Sequence, residues 1–71
     1  MSKGQYAHLH HDSAPNTVVC HHPDGTVLGY IARVRVEGLV RPGFLPLDEN
    51  REPLTDWQET RSRALEWIVE R

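Results

Sequence analysis

Pro23-Asp24-Gly25-Thr26-Val27-Leu28-Gly29-Tyr30-Ile31-Ala32-Arg33-Val34-Arg35-Val36 is the stretch whose reading decides the fold. It opens with turn chemistry: proline presets φ near about −65°, aspartate bonds its own backbone, and glycine takes positive φ, as a three-residue hairpin loop with a bulge requires. A strand follows. By period-2 alternation Leu28, Tyr30, Ala32, Val34 and Val36 share one face, while Gly29, Ile31, Arg33, Arg35 and Glu37 share the other. The first face is predicted to meet a core and the second to meet water.

Upstream, Thr17-Val18-Val19-Cys20-His21-His22 is a β-branched run that ends at this turn and is predicted to pair antiparallel with the strand beginning near Thr26. Residues 1–16 read as a polar N-terminal arm, in which His8, His10 and His11 precede the turn-forming Asp12-Ser13-Ala14-Pro15-Asn16. A short strand over 6–10 is expected to hold the arm as an edge strand beside 17–22, leaving the arginine face open. Downstream, Glu37-Gly38 reads either as a tight turn or as a bulge in one long strand ending at Arg41-Pro42-Gly43. Phe44-Leu45-Pro46-Leu47 adds apolar cover, and Pro46 and Pro53 limit the regular ladder around the 48–51 loop. The final segment reads as a helix over 61–71, free of Gly and Pro, with Thr60 as N-cap, Ser62 as the rival cap, and an Ala64, Leu65, Ile68 stripe shouldered by Trp67. Trp57 is expected to pack where the chain turns into that helix. The predicted fold class is α+β: a small antiparallel sheet of three or four strands with one C-terminal helix on a face, residues 17–71 making a single small domain after the arm.

A chain of 71 residues is near the size at which one core gives little net stability, so a partner or a second copy matters. Eight Lys plus Arg against ten Asp plus Glu give a net charge of −2 with neutral His. Nucleic-acid binders gain affinity by neutralising phosphates and are normally basic, which weighs against that class while leaving room for a local patch. The single cysteine excludes an intramolecular disulfide framework, and no apolar run has the length of a signal-peptide core or a membrane span. A cytoplasmic protein is expected.

The Asp24-Gly25 hairpin leading into Leu28-Gly29-Tyr30-Ile31, a further strand-like region, and Thr60-Arg61-Ser62-Arg63-Ala64-Leu65-Glu66-Trp67 opening a terminal helix stand in a telling order. The layout resembles small uncharacterised proteins of actinobacteria and their phages. It also resembles the three-stranded sheet plus helix of the arm-type DNA-binding domain that begins many tyrosine-recombinase integrases. The likeness spans roughly residues 18–68 and rests on generic motifs. For the integrase domain it implies a sheet face inserted in a DNA groove, here the face of Ile31, Arg33 and Arg35. The acidic balance of this chain departs from that family, so the resemblance carries over a fold and not a function.

Among chemistry-bearing residues, His8 and His10 share a strand face, as do Cys20 and His22, and a hairpin joining these segments brings four zinc-type ligands within range, with His11 and His21 as alternatives. No Cys-x-x-Cys spacing backs such a site, histidines on a polar strand are ordinarily solvated, and a lone cysteine is ordinarily a small buried apolar residue. No metal and no cofactor are expected. Cys20, His21 and Asp24 are sequence neighbours rather than a positioned nucleophile, base and oxyanion hole, so the chain is read as a non-enzyme. Gly25, Gly29, Gly38 and Gly43 are too dispersed for a phosphate loop. The candidate partner-binding residues are Ile31, Arg33, Arg35 and Arg41, an arginine-bearing, partly apolar face suited to a protein hot spot or a nucleic-acid backbone. The plain alternative is a solvated face with cross-strand ion pairs, for instance to Glu37. The expected function is a non-enzymatic interaction module, phage-derived, that binds a protein partner or its own kind through an open sheet. The rival expectation is a nucleic-acid-binding accessory protein using the same arginines.

Overall fold

The computed structural model describes residues 8–70, and the Pro23-Asp24-Gly25 turn has formed as its chemistry requires. Gly25 N donates to the His22 carbonyl at 2.9 Å, Thr26 N donates to Asp24 Oδ1 at 2.8 Å, and Gly25 sits at φ +93°, where a side chain would be strained. The turn joins β2 (Thr17–His21) to β3 (Val27–Val34), which pair antiparallel with Val18 opposite Ile31 and Cys20 opposite Gly29. β1 (His8–His11) adds to β2 and β4 (Gly43–Leu47) adds to β3, giving one four-stranded antiparallel meander in the order β1-β2-β3-β4. The edge strand expected over 6–10 forms at His8–His11; residues 6 and 7 lie outside the described residues.

After β3 the chain takes the tight-turn alternative, with Leu39 N donating to the Val36 carbonyl at 3.1 Å across Glu37-Gly38. β4 then starts at Gly43, and its proline is tolerated for a geometric reason. In an antiparallel strand the N–H and C=O of one residue point the same way, and successive residues address opposite neighbours. Phe44 exchanges bonds with Gln58 at 2.8 and 2.6 Å, and the Pro46 carbonyl accepts from Leu54 N at 2.9 Å. Residues 44 and 46 therefore face away from β3, and the N–H that Pro46 lacks is one the β3 ladder never uses. Segment 53–58 covers the outer edge of β4 by these same bonds.

α1 (Arg61–Val69) is capped by Thr60, whose Oγ1 accepts from Arg63 N at 3.2 Å, so Thr60 rather than Ser62 starts the helix. The helix packs on β3 and β4. It buries Ala64, Ile68 and Val69 against Cys20 and Ile31, with Leu9, Val18, Leu28, Phe44, Leu54 and Leu65 half-buried around them. Trp57, also half-buried, lies against the backbone of Gly43 beside Val36.

From Gly29 onward the two faces of β3 are exchanged relative to the sequence expectation, while Leu28, beside the register shift at Cys20/His21, packs against the core as expected. Ile31, expected on the open face, is 1% exposed and lies in the core. Alternation separates two faces without saying which one is covered, and around residues 28–31 both carry apolar groups. Backbone room decides. A Cβ at Gly29 would meet the Leu47 carbonyl oxygen and come within 3.1 Å of Ile68 Cγ2, so the helix sits in the space that a side chain would fill. The opposite face, with Val19, Tyr30, Ala32 and Val34, is half-buried and carries no helix among the described residues.

Gly29→Ala is expected to cost about 1–3 kcal/mol, because close-packed backbone and side chain must shift to admit one methyl group. Ile31→Ala is expected to cost about 2–5 kcal/mol through lost burial and the cavity left behind. Urea titrations showing lower midpoints at unchanged slope check both.

Candidate functional site

Beyond Ile31, β3 runs out past the start of the helix, where Arg33 and Arg61 border one small cleft. Arg33 N donates to the Asn16 carbonyl at 2.7 Å, which fixes its backbone to the β1–β2 turn while its side chain stays exposed. The Glu37-Gly38 turn then folds the chain back. Arg33, Arg35, Leu39, Val40 and Arg41, with Asn16, border a hollow of about 290 Å³. Leu39 is 45% exposed and Val40 fully so.

Among the described residues no carboxylate forms a salt bridge with Arg33, Arg35 or Arg41. The Glu37 pairing that a plain solvated face would show is not made. Three guanidinium groups around one hollow produce a local positive potential that an isolated surface pair would not, next to apolar side chains that water solvates poorly. Of the four sequence-predicted binding residues, the structure gathers Arg33, Arg35 and Arg41. Ile31 does not join them: it is buried under the helix, in the core. Leu39 and Val40 were missed. Their signal was an apolar pair set between Glu37-Gly38 and Arg41-Pro42-Gly43, where turn chemistry leaves such side chains no core to enter.

A second patch lies on the outer side of α1. Trp67 is 48% exposed and, with Leu54, Glu66 and Glu70, lines a shallow hollow of about 600 Å³. The helix charges run against its macrodipole: Arg61 and Arg63 occupy the first turn, which holds no acid, and the last turn holds no base. Glu66 and Glu70 are like charges at i, i+4, and neither has a salt bridge among the described residues.

The histidines and the cysteine are divided between the two sheet faces. The His21 ring stacks between those of His8 and His10, at centroid distances of 5.6 and 4.8 Å, on the face away from the helix. Its Nδ1 lies 2.7 Å from the His22 carbonyl, so that nitrogen carries the proton donated there. Cys20 faces the core, and burial pushes its thiol up to about 11, away from thiolate chemistry. The set His8, His10, Cys20 and His22 is therefore not brought together, and Cys20, His21 and Asp24 do not converge. Among the described residues no three His, Cys, Asp or Glu side chains are grouped to hold a metal ion.

Compared with known proteins, the chain has no significant match to a family model, a curated protein or a solved structure. No helix among the described residues is long and apolar enough to cross a membrane.

One arginine outside the hollow is firmly engaged. Arg51 Nη1 donates to Asp12 Oδ2 at 2.8 Å while its guanidinium lies 4.0 Å from the Tyr30 ring centroid, tying the 48–51 turn across the sheet. The Arg51 hydrogen bond holds the Asp12 carboxyl below its ordinary 3.8. A carboxyl lowered in the folded state stabilises the fold above its unfolded value, and that contribution is lost as pH falls through the folded one. Asp12→Asn is expected to lower the denaturation midpoint near pH 7, and the gap to wild type is expected to close as the pH drops below about 4. Urea midpoints across that range check it.

Proposed function

We propose that this chain is a small non-enzymatic interaction module that grips a protein partner with the rim of the arginine hollow, Arg33, Arg35 and Arg41, and with the exposed Leu39 and Val40 beside them. The observation that supports it best is the coincidence of three guanidinium groups that have no salt bridge among the described residues with a fully exposed valine. Apolar anchors ringed by arginine favour a partner surface carrying both acidic and apolar side chains. The reading places the protein in the cytoplasm, consistent with one buried free thiol, and in the phage-derived setting its resemblance implied.

A second reading, nucleic-acid binding, draws on the same three guanidinium groups. It loses the mode that the integrase likeness implied, because the Ile31 face lies under α1. The face that remains open presents Val19, Tyr30, Ala32 and Val34, and the arginine lying over it, Arg51, is already bound to Asp12. A net charge of −2 offers phosphates little beyond the hollow.

Selection from a random displayed-peptide library separates the two. The expected result is enrichment of peptides combining Asp or Glu with Leu, Val or Phe, whose binding drops about tenfold or more in an Arg35→Ala/Arg41→Ala variant. Enrichment indifferent to those substitutions contradicts the proposal. Steeply salt-dependent binding to a mixed DNA and RNA pool, lost in the same variant, decides for the second reading.

A further inference from the structure

We propose that the partner seated on the arginine hollow is a second copy of this chain, docking through its Trp67 hollow, so that copies join head to tail. The inference rests on the interaction-module reading and names its partner. The two patches are complementary in kind. One carries Arg33, Arg35 and Arg41 around the exposed Leu39 and Val40; the other carries Glu66 and Glu70 around the exposed Trp67 and the half-buried Leu54. Cation faces anion at the rim and aliphatic faces aromatic at the centre, the arrangement that steers and then seats a contact.

Their placement decides the geometry. Ile68, near the helix end, sits at Gly29 early in β3, while Arg61, at the helix start, shares a cleft with Arg33 late in β3. Helix and strand are therefore antiparallel, and the patches lie toward opposite ends of the helix. One copy does not fold its own loop onto its own Trp67. Either patch against its like is repelled, three cations against three or two anions against two, which disfavours a two-fold contact through one patch alone. Because the patches lie toward opposite ends of the helix, a contact between unlike patches leaves one of each free; it is heterologous and adds further copies, as a chain or a closed ring.

The helix supplies an independent reason. Among the described residues Glu66 and Glu70 have no salt bridge, and they stand toward the negative end of the macrodipole, where the last turn, residues 66–69, holds no base. Arginines from a neighbour would add positive charge beside these two carboxylates. The contact is small, of the transient class, so association is concentration-dependent and salt-sensitive.

Complementation between two surface variants tests this. Val40→Asp blocks the loop and spares the Trp67 hollow; Trp67→Ala does the reverse. Both residues are exposed, and circular dichroism and thermal melts confirm that each variant folds. Glu66→Arg/Glu70→Arg probes the hollow through charge with the Trp67 ring in place. By sedimentation velocity from about 10 µM to about 1 mM, the wild type is expected to grow beyond dimer and to dissociate as salt rises. Each variant alone is expected to stay monomeric, and an equimolar mixture of Val40→Asp and Trp67→Ala to form a one-to-one dimer. A wild type monomeric throughout, an association that survives the substitutions, or a mixture that stays monomeric overturns the proposal. A monomeric wild type that still binds acidic peptides through Arg35 and Arg41 removes self-docking alone; loss of that binding as well removes the interaction reading with it.

Discussion

The seat of Ile68 against the bare backbone of Gly29 is the contact on which the rest of this structure depends. Because no side chain rises from β3 at that point, the helix comes down on the Gly29 and Ile31 face and buries it with Cys20 and Val18 from β2. That choice fixes what the chain shows to its surroundings. The helix covers β3 only as far as Ile31, so Arg33 emerges at its rim and the turn beyond it carries Leu39, Val40 and Arg41 into water. The hollow is a consequence of where the helix begins.

Much of the architecture was legible in local chemistry. The Pro23-Asp24-Gly25 turn, the β2–β3 hairpin, the Thr60 cap and the C-terminal helix follow from residues acting within a few positions of one another, and each formed. What was not legible is which side of β3 is covered. That depends on a contact between residues 29 and 68, and period-2 alternation is symmetric with respect to it. The apolar groups at Leu28 and Tyr30 favoured one side; a glycine, which contributes nothing to an apolar count, settled the other. Pro46 misled in a similar way, since its compatibility with β4 depends on which direction its absent N–H would have pointed.

The candidate site was legible in part for the same reason. Arg33, Arg35 and Arg41 were found because charge on a strand and at its exit is a sequence property, whereas Ile31 was assigned with them only through the wrong face. Leu39 and Val40 take its place as the apolar element, and they belong to a loop that alternation does not describe. The helix carries comparable information in its charge order: Arg61 and Arg63 first and Glu66 and Glu70 last is the reverse of what an isolated helix favours. That order costs local stability in a domain whose small core leaves little margin.

The most direct measurement of this account is the solvent exposure of two methyl groups. In an NMR experiment with a soluble paramagnetic agent, the Val40 methyls are predicted to broaden strongly, while the Ile31 methyls stay sharp and show cross-relaxation to Ile68 and Ala64. Broadening of Ile31 to the same degree as Val40, without contacts to the helix, would contradict the burial of the Gly29 and Ile31 face and the placement of every surface residue that follows from it.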